Sequence, residues 1–398
     1  MSLDIAVSSE RALGLPPATA AWQPGDPVAD RLFAGVGPLG LELGGHLPEV
    51  TVAYETWGSL DPDGGNAVLV LHALTGDAHV VGPPGPGQPT AGWWDGLIGP
   101  GAPLDTDRCF VVAPNVLGGC QGTTGPSSRR PRADGTPGPR YGGDFPRITV
   151  GDQTEVERRL SDLLGVRRWA AVVGGSMGGM RALEWAAATP ERVGAALVVA
   201  VGAEATGDQI ATQSTQLLAI TSDPAWAGGH YHDAGPGNGP WRGMGIARRM
   251  AHLTYRSEYE LDARFGRDPQ DDEDPLAPGA QGRFAVQSYL DHQADKLARR
   301  FDAGTYVALT DAMNTWDVGR GRGGTDTALA RVHVPLVVAG VTTDRLYPLH
   351  LQERIAAAPG TVDGLQVIDS PYGHDGFLIA RERIFALVAE TYRLGTRG

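Results

Sequence analysis

The chain has 398 residues, 41% of them hydrophobic and 20% charged, with 57 Gly and 30 Pro, a composition typical of a globular protein rather than a disordered one. Its length fits one large domain with an insertion, or two domains. The formal net charge of -13 argues against nucleic acid or an anionic membrane as a partner, because both are recognised through clustered Lys and Arg.

The cysteines and the N-terminal residues indicate the compartment. Cys109 and Cys120 are too few for a disulfide framework and lack CxxC spacing, so both are expected to be reduced thiols. The N-terminus has no basic segment followed by a continuous apolar stretch, and no window approaches the roughly 18 apolar residues of a membrane span. We predict a soluble, cytoplasmic protein whose residues 1–30 form a loose N-terminal tail.

Strand-like segments begin after this tail. Residues 41–58 alternate between apolar and polar and contain a Gly-Gly pair, which predicts an antiparallel hairpin. The later apolar runs are hydrophobic on both faces, which is typical of parallel strands covered by helices. These runs are AVLVL (67–71), CFVVA (109–113), AAVV (170–173), ALVVA (196–200), PLVVAG (335–340) and LQVI (365–368). The predicted fold class is α/β, with a mostly parallel central sheet flanked by helices.

One helix precedes the run at 170–173. Asp152 followed by Glu155 predicts an N-cap pair, and Gly165 predicts the end of the helix. Between them an apolar stripe is formed by Val156, Leu160, Leu163 and Leu164. The chain then enters the next strand directly, so this segment has the strand-helix alternation of a parallel sheet.

The strand signal disappears between residues 204 and 324. Helical patterns with Gly and Pro breaks replace it, among them DQIATQSTQLLAIT, GIARRMAHLTYRSEYELDARF and RFAVQSYLDHQADKLARRFD. A helical segment inserted between two strands of a sheet is typical of a lid. We therefore predict a helical lid at 204–324, with the core formed by 31–203 and 325–398.

A serine lies where an apolar strand pattern gives way to a helical one. The segment Gly174-Gly175-Ser176-Met177-Gly178 fits G-x-S-x-G, in which small neighbours allow a nucleophilic serine to occupy a strained strand-to-helix turn. The alternative is a glycine-rich turn that contains an incidental serine. The strand before the motif and the helix after it favour the nucleophile.

Two further residues complete a catalytic arrangement in the expected chain order. Asp344 follows the run PLVVAG, and His374 lies in a Gly-rich loop after LQVI. Taken singly, the preferred interpretations would be a turn or cap carboxylate for Asp344 and a solvated loop histidine for His374. Because serine, carboxylate and histidine occur in order and each follows a strand, we predict Ser176 as nucleophile, His374 as general base and acid, and Asp344 as the carboxylate that orients the imidazole.

An oxyanion hole should combine two backbone N–H groups. One is that of Met177, directly after the serine. The loop His72-Ala73-Leu74-Thr75-Gly76 follows the first apolar strand, and we assign the second donor to Leu74, with the register of this loop left open. For His72 we prefer a strand-end residue bonded to the backbone over a catalytic role.

Four separated segments carry a family resemblance. They are NVLGGCQGTTGPSS (115–128), GGSMGGMRALEWA (174–186), ARRMAHLTYRSE (247–258) and YGHDGF (372–377). Together they resemble the homoserine O-acetyltransferases, α/β-hydrolase-fold enzymes of methionine biosynthesis, and the resemblance extends from about residue 30 to the C-terminus. It implies a ping-pong reaction in which acetyl-CoA acylates the serine and L-homoserine accepts the acetyl group, in a homodimer formed through the lid.

The resemblance also implies a substrate site. Arg248 and Tyr255 match residues that hold the carboxylate of the amino acid and line its site, and Asp375 matches the carboxylate that binds its ammonium group. Arg248, His252 and Tyr255 are spaced so that they share one face of a lid helix. Read from spacing alone, a solvated basic face would explain the same pattern. An Arg fork and a carboxylate are the groups that a zwitterionic acceptor requires.

Several points stay open from the sequence. The donor could be succinyl-CoA and the acceptor serine, since a few pocket atoms decide such choices, and a hydrolase of small esters or thioesters could use the same triad. His230 and His232 are expected to be loop residues rather than metal ligands, Cys120 a packed thiol, and residues 128–132 either CoA-phosphate contacts or a surface turn. No metal and no permanently bound cofactor is expected.

Overall fold

The protein is described here from a computed structural model, in which residues 14–132, 134–279 and 282–397 can be placed. An eight-stranded sheet runs through it in the order β1-β2-β6-β3-β9-β10-β11-β12. Its strands are β1 Leu32–Gly40, β2 His46–Trp57, β3 Ala67–Leu71, β6 Phe110–Pro114, β9 Trp169–Gly175, β10 Val193–Val199, β11 Leu336–Val341 and β12 Thr361–Ile368. Two-stranded ribbons are formed by β4 Ile98–Gly99 with β5 Leu104–Asp105, and by β7 Arg129–Pro131 with β8 Pro137–Arg140.

The sheet confirms the predicted α/β class. Strand β2 is antiparallel to both β1 and β6, and the pairings from β6 to β12 are parallel. The predicted hairpin exists, but it starts at Leu32, with β1 paired to β2 across a turn at 41–45. Each of the six apolar runs forms a strand of this sheet. The carboxyl ends of the parallel strands therefore meet at one edge.

The α-helices lie between the later strands of the sheet and after the last strand. They are α1 Val150–Leu163, α2 Met177–Ala188, α3 Gly207–Thr221, α4 Trp241–Tyr255, α5 Glu258–Phe265, α6 Ala285–Ala298, α7 Ala303–Asn314, α8 Thr325–Leu329, α9 Leu349–Ala356, α10 Gly376–Ile379 and α11 Arg381–Gly395. Strands β10 and β11 are consecutive strands of the sheet, and α3 to α8 lie in the segment between them. The boundaries of the predicted lid remain a prediction.

The start of α1 differs from the prediction. Thr149 is the N-cap: its side chain accepts from the Asp152 N–H, and the Asp152 carboxylate accepts from the Thr149 N–H. Asp152 is thus the N3 member of a capping box rather than the cap itself. Thr149 and Asp152 are both good cap residues, and the two hydrogen bonds of the capping box assign the cap to Thr149. Leu163, a member of the predicted apolar stripe, is 59% exposed.

Side chains on the two faces of the sheet enter separate hydrophobic clusters. In β3, Val68 and Val70 belong to one cluster, and Leu69 and Leu71 belong to the other. Helices α1 and α2 contribute to the cluster that contains Leu69, whereas α11 contributes to the one that contains Val68. Alternation along a strand sends neighbours to opposite faces, so both faces are covered and the parallel strands are continuously apolar.

Part of the predicted N-terminal tail packs against the rest of the chain. The Trp22 N–H donates to the Cys120 carbonyl at 2.9 Å, and the Pro16 carbonyl accepts from the Gly237 N–H at 2.7 Å. Residues 1–13 lie outside the described residues. No helix of the described residues is both long and apolar enough to cross a membrane.

Candidate active site

Ser176 lies in the turn between β9 and α2, and its backbone is strained. Its φ is 56° and its ψ is -127°, a region that non-glycine residues rarely adopt. Glycines make this turn sterically feasible. A Cβ on Gly174 would lie 2.3 Å from the Gly178 carbonyl oxygen, and a Cβ on Gly178 would lie 2.1 Å from the Leu71 carbonyl oxygen. The glycines of the motif are therefore required by close backbone packing around the serine.

Ser176, His374 and Asp344 form a continuous hydrogen-bonded chain. His374 Nε2 is 2.9 Å from Ser176 Oγ, and His374 Nδ1 is 2.7 Å from Asp344 Oδ2. The other carboxylate oxygen of Asp344 accepts the N–H groups of Leu346 and Tyr347 at 2.9 and 2.8 Å. Residues from the ends of β9, β11 and β12 thus meet at one edge of the sheet. The geometry permits proton transfer from Ser176 to His374.

The electrostatics of His374 suit a general base. The side chain is buried, which by itself would lower the pKa of the imidazole, but the Asp344 carboxylate and then the neighbouring Asp375 raise this pKa above its usual value. A positive charge on this imidazole is therefore favoured by a carboxylate held in place beside it.

A cavity of about 310 Å³ opens above Ser176. It is bounded by the loop after β3, by α4 and α6 of the inserted helical segment, and by the loop that carries His374. The lining residues include Leu74, Asp77, Trp93, Ser176, Arg248, His252, Tyr255, Arg256, Tyr289, Lys296, Arg300, His374 and Asp375. Cationic groups outnumber carboxylates in this lining, so the cavity favours an anionic ligand although the whole chain is acidic.

The two predicted oxyanion donors are near Ser176. Leu74 lines the same cavity as Ser176, and Met177 is the first residue of α2, so its N–H has no partner within that helix. His72 has the predicted backbone role: Nδ1 lies 2.8 Å from the Ala73 carbonyl and Nε2 accepts the Val116 N–H at 3.1 Å. Burial, followed by the charge of Arg181, lowers the pKa of His72 to about 3.

Helix α4 presents Arg248, His252 and Tyr255 to the cavity, as their spacing predicts. The Arg248 Cζ atom lies 5.6 Å from the centre of the Tyr255 ring, and that ring lies 5.7 Å from the ring of His374. Within the described residues, Nε and Nη1 of Arg248 are buried without a hydrogen-bond partner. A guanidinium with unused donors near His374 can bind a carboxylate through two hydrogen bonds.

Asp375 directly follows His374 in the chain and also lines the cavity. Burial raises the pKa of its carboxyl group, while His374, Arg248 and Arg256 oppose that rise. Arg256 Nη1 donates to Asp375 Oδ2 at 3.3 Å, and the remaining guanidinium nitrogens are held by Glu260. The hydrogen bond from Arg256 therefore orients the Asp375 carboxylate.

Sequence reasoning missed Arg256, Lys296 and Arg300 as cavity residues. Arg256 directly follows Tyr255 in a segment already singled out, but a position after the end of a helix has no periodicity that could assign it to a face. Lys296 and Arg300 are spaced i, i+4 in the segment DKLARRFD, which could have flagged a shared basic face. Whether that basic face lines the cavity depends on how α6 packs against the rest of the chain.

The other sequence candidates lie outside this cavity. His232 is buried, with Nε2 3.2 Å from Asp302 Oδ1, whereas half of the His230 side chain is exposed. In residues 14–132, 134–279 and 282–397 no three potential metal-ligating side chains converge. Cys120 is a packed thiol whose pKa is raised by burial. Residues 129–131 form β7, and Arg129 and Arg130 line a separate cavity.

Known proteins resemble this chain in sequence and in fold. A family model of the α/β hydrolase fold matches residues 66–380. A homoserine O-acetyltransferase of Thermobifida fusca is 60% identical over 94% of this chain and 97% of that enzyme, and one of Mycolicibacterium smegmatis is 58% identical over 91% and 93%.

Solved structures agree with this assignment of the fold. A homoserine O-acetyltransferase from Bacillus anthracis has a TM-score of 0.79 at 25% identity, covering 91% of this chain and 97% of that one. Esterase E22 has a TM-score of 0.80 at 23% identity, over 91% of this chain and 99% of the esterase. The similarity to the esterase concerns the fold alone.

Proposed function

We propose that this chain, which belongs to the homoserine O-acetyltransferases of the α/β hydrolase fold, transfers the acetyl group of acetyl-CoA to the hydroxyl of L-homoserine through an acyl-Ser176 intermediate. The products are O-acetyl-L-homoserine, an intermediate of methionine biosynthesis, and CoA. One observation carries the proposal: Ser176 and His374 share a single cavity with Arg248 and Asp375. A nucleophile and a pair of groups that match an amino acid are thus available to one ligand.

The first half-reaction acylates the enzyme. Ser176 Oγ attacks the thioester carbonyl carbon while His374 Nε2 takes the hydroxyl proton, and the Leu74 and Met177 N–H groups stabilise the oxyanion. The tetrahedral intermediate then expels the CoA sulfur, which receives the proton from His374. Asp344 orients the ring and stabilises the imidazolium throughout. Ser176 is left as an acetyl ester and His374 is neutral again.

The second half-reaction transfers the acetyl group. L-Homoserine enters with its carboxylate on Arg248 and its ammonium on Asp375, which brings its hydroxyl toward Ser176 and His374. His374 removes the hydroxyl proton as the oxygen attacks the acyl-enzyme, and the proton then passes to Ser176 Oγ as the ester bond breaks. The inserted helices bound this cavity and limit the access of water, which would otherwise hydrolyse the intermediate.

The test is a thiol-release assay that crosses acetyl-CoA and succinyl-CoA with L-homoserine and L-serine, with the Ser176→Ala variant as blank. The expected result is CoA release that depends on L-homoserine and is largest with acetyl-CoA. Release of free acetate at the same rate with and without L-homoserine would instead identify a thioester hydrolase. Faster release with succinyl-CoA or with L-serine would reassign the donor or the acceptor.

Arg248→Ala separates amino-acid transfer from plain ester cleavage. Truncating one partner of a buried charge pair costs about 2–5 kcal/mol, so the KM for L-homoserine should rise by at least about 30-fold. Cleavage of p-nitrophenyl acetate needs no carboxylate partner and should be nearly unchanged. Equal losses in both assays would show that Arg248 does not bind the acceptor.

The proposed assembly is a homodimer that associates through the inserted helices. Exposed apolar side chains on α3 and α4 support this arrangement: Ile210, Leu218, Ile246 and Leu253 are between 40% and 65% exposed, and large exposed apolar groups are typical of interfaces. Light scattering after gel filtration should give twice the chain mass of 41.8 kDa. The Leu218→Glu variant should shift the protein to the monomer.

A further inference from the structure

We propose that Arg181 and Arg300 are positioning residues that hold the loop after β3 so that the Leu74 N–H faces Ser176. This inference rests on the proposed function only in requiring that Ser176 carries an acyl group. The carbonyl groups of this loop accept hydrogen bonds both from residues outside it and from residues within it.

The peptide unit between Ala73 and Leu74 is oriented by its carbonyl. The Ala73 oxygen accepts the Gly76 N–H at 2.9 Å and lies 2.8 Å from His72 Nδ1. In a planar trans peptide the carbonyl and the following N–H point in opposite directions. Two donors on the Ala73 oxygen therefore direct the Leu74 N–H away from the turn. This orientation supports the assignment of the second oxyanion donor to Leu74.

Two arginines hold other peptide units of the same loop. A guanidinium nitrogen of Arg181 donates to the His72 carbonyl, in the unit directly before Ala73-Leu74. Arg300 Nη2 donates to the Thr75 carbonyl at 2.8 Å, two peptide units after it. Together with the bonds to the Ala73 oxygen, these contacts constrain both ends of the short loop.

Arg181 comes from the helix that also begins with the other oxyanion donor. It is fully buried on α2, and its Nη1 donates to Glu157 Oε1 at 2.6 Å. The second oxygen of Glu157 accepts the Trp185 Nε1–H at 2.9 Å. Because Arg181 is on the helix that starts at Met177, the Met177 and Leu74 donors are held in one rigid frame.

A buried ion pair adds little to the free energy of unfolding. Desolvation of both charges offsets most of their attraction, and apolar replacements of similar volume are often as stable. The Arg181 and Glu157 pair is nevertheless buried, with 0% and 2% of the side chains exposed. Arg181 has a second nitrogen on the His72 carbonyl, and a positional role accounts for a charge that stability alone does not require.

Arg300 links the same loop to the inserted helices. It follows α6 in the chain and lines the cavity together with Thr75 and Ser176. Burial lowers the pKa of its guanidinium, and Asp77 is the first charge that opposes this effect. One end of the loop is held from α2 and the other from the inserted helical segment. Movement of that segment would therefore change the position of the Leu74 N–H.

The experiment uses the full chain and two sets of variants. The first is the double variant Arg181→Met with Glu157→Gln, which removes both charges of the buried pair. The oxygen of the new amide at position 157 can still accept the Trp185 Nε1–H. Arg300→Gln releases the other end of the loop. The substrates are p-nitrophenyl acetate, which needs no acceptor site, and an aryl trifluoromethyl ketone, whose adduct with Ser176 carries a tetrahedral oxyanion. Thermal unfolding is measured for every variant.

Loss of one oxyanion donor lowers kcat by about 10²–10³-fold, and a misoriented donor should cost part of that, about tenfold or more. The expected result is an equal fall in kcat/KM for p-nitrophenyl acetate and in affinity for the ketone. A merely structural role would lower stability without such parallel losses. The Arg322→Gln variant is the matched control, because Arg322 pairs with Glu184 on the same helix α2 but lies outside the cavity.

The inference is overturned if either folded variant keeps the wild-type kcat/KM and ketone affinity. If the Arg181 double variant does not fold, Arg300→Gln decides by the same criterion. The ester and ketone assays do not involve L-homoserine or CoA. Parallel losses in them would therefore uphold the inference even if the thiol-release assay showed the proposed transfer reaction to be wrong.

Discussion

Replacement of Asp344 by Asn should remove most of the activity without changing the shape of the site. In the native protein Asp344 Oδ1 accepts two backbone N–H groups at 2.9 and 2.8 Å, while Oδ2 faces His374 Nδ1 at 2.7 Å. The two backbone donors require an oxygen, so the new amide must place its NH₂ toward His374. Nδ1 then has to accept a hydrogen bond, and the ring proton moves to Nε2.

The magnitude follows from this reversal. A proton on Nε2 leaves His374 without the lone pair that takes the proton of Ser176, and the same reversal in a Ser-His-Asp hydrolase lowers kcat by about 10⁴-fold. At about 1.4 kcal/mol for each tenfold change, the barrier should rise by about 5.5 kcal/mol. The losses should be similar for p-nitrophenyl acetate cleavage and for thiol release from acetyl-CoA, since both use the same base.

The pH profile provides an independent signature. His374 acts as a base only when neutral, and the Asp344 carboxylate contributes to raising its pKa. In the wild type, activity is lost as the pH falls through this raised pKa. Without the carboxylate the pKa of His374 is lower, so the acidic limb of kcat/KM should move to lower pH.

Both effects are measured on purified protein with thermal unfolding as a check of the fold. Asp369→Asn is the matched control, because Asp369 also follows β12 but is exposed and accepts from Thr342 instead. Activity within tenfold of the wild type, or an unchanged acidic limb, would refute the roles of Asp344 and His374.

Three further predictions concern the surroundings of Ser176. Gly175→Ala would place a Cβ 2.5 Å from the buried ring of Phe377, which should lower the free energy of unfolding by about 1–3 kcal/mol in urea denaturation, together with activity. Arg256→Gln removes the partner that orients Asp375, so the KM for L-homoserine should rise by about tenfold or more while acylation by acetyl-CoA in single-turnover kinetics is kept. Burial raises the pKa of Cys120, so iodoacetamide at neutral pH should label it by mass spectrometry only after unfolding.

Each of these predictions has its control. Gly207→Ala adds a Cβ into open space and should leave stability nearly unchanged. Arg264→Gln removes the other arginine beside Glu260, one that is half exposed, and should leave the KM for L-homoserine unchanged. Equal effects of Gly175→Ala and Gly207→Ala, equal effects of the two arginine variants, or rapid labelling of folded protein with loss of activity would each contradict the stated reason.

The sequence by itself determined the fold class and predicted three residues that the structure brings into hydrogen-bond contact. A strand of a parallel sheet that is covered on both faces needs apolar side chains on both of its faces. Such strands therefore occur in the sequence as continuous apolar runs. Ser176, Asp344 and His374 were found because each follows such a run. Since parallel strands end at one edge, their order in the chain was enough to predict that they meet.

Only the tertiary structure decided which groups surround these three residues. Arg256 contacts Asp375, which is 119 residues away in the chain. Arg181 and Arg300 hold the loop that carries Leu74 through contacts between residues 109 and 225 positions apart. Local periodicity reports which face of a helix is apolar, but it carries no information on which distant carbonyl or carboxylate a buried arginine will reach. That choice is made by the packing of α2, α4 and α6 around the site.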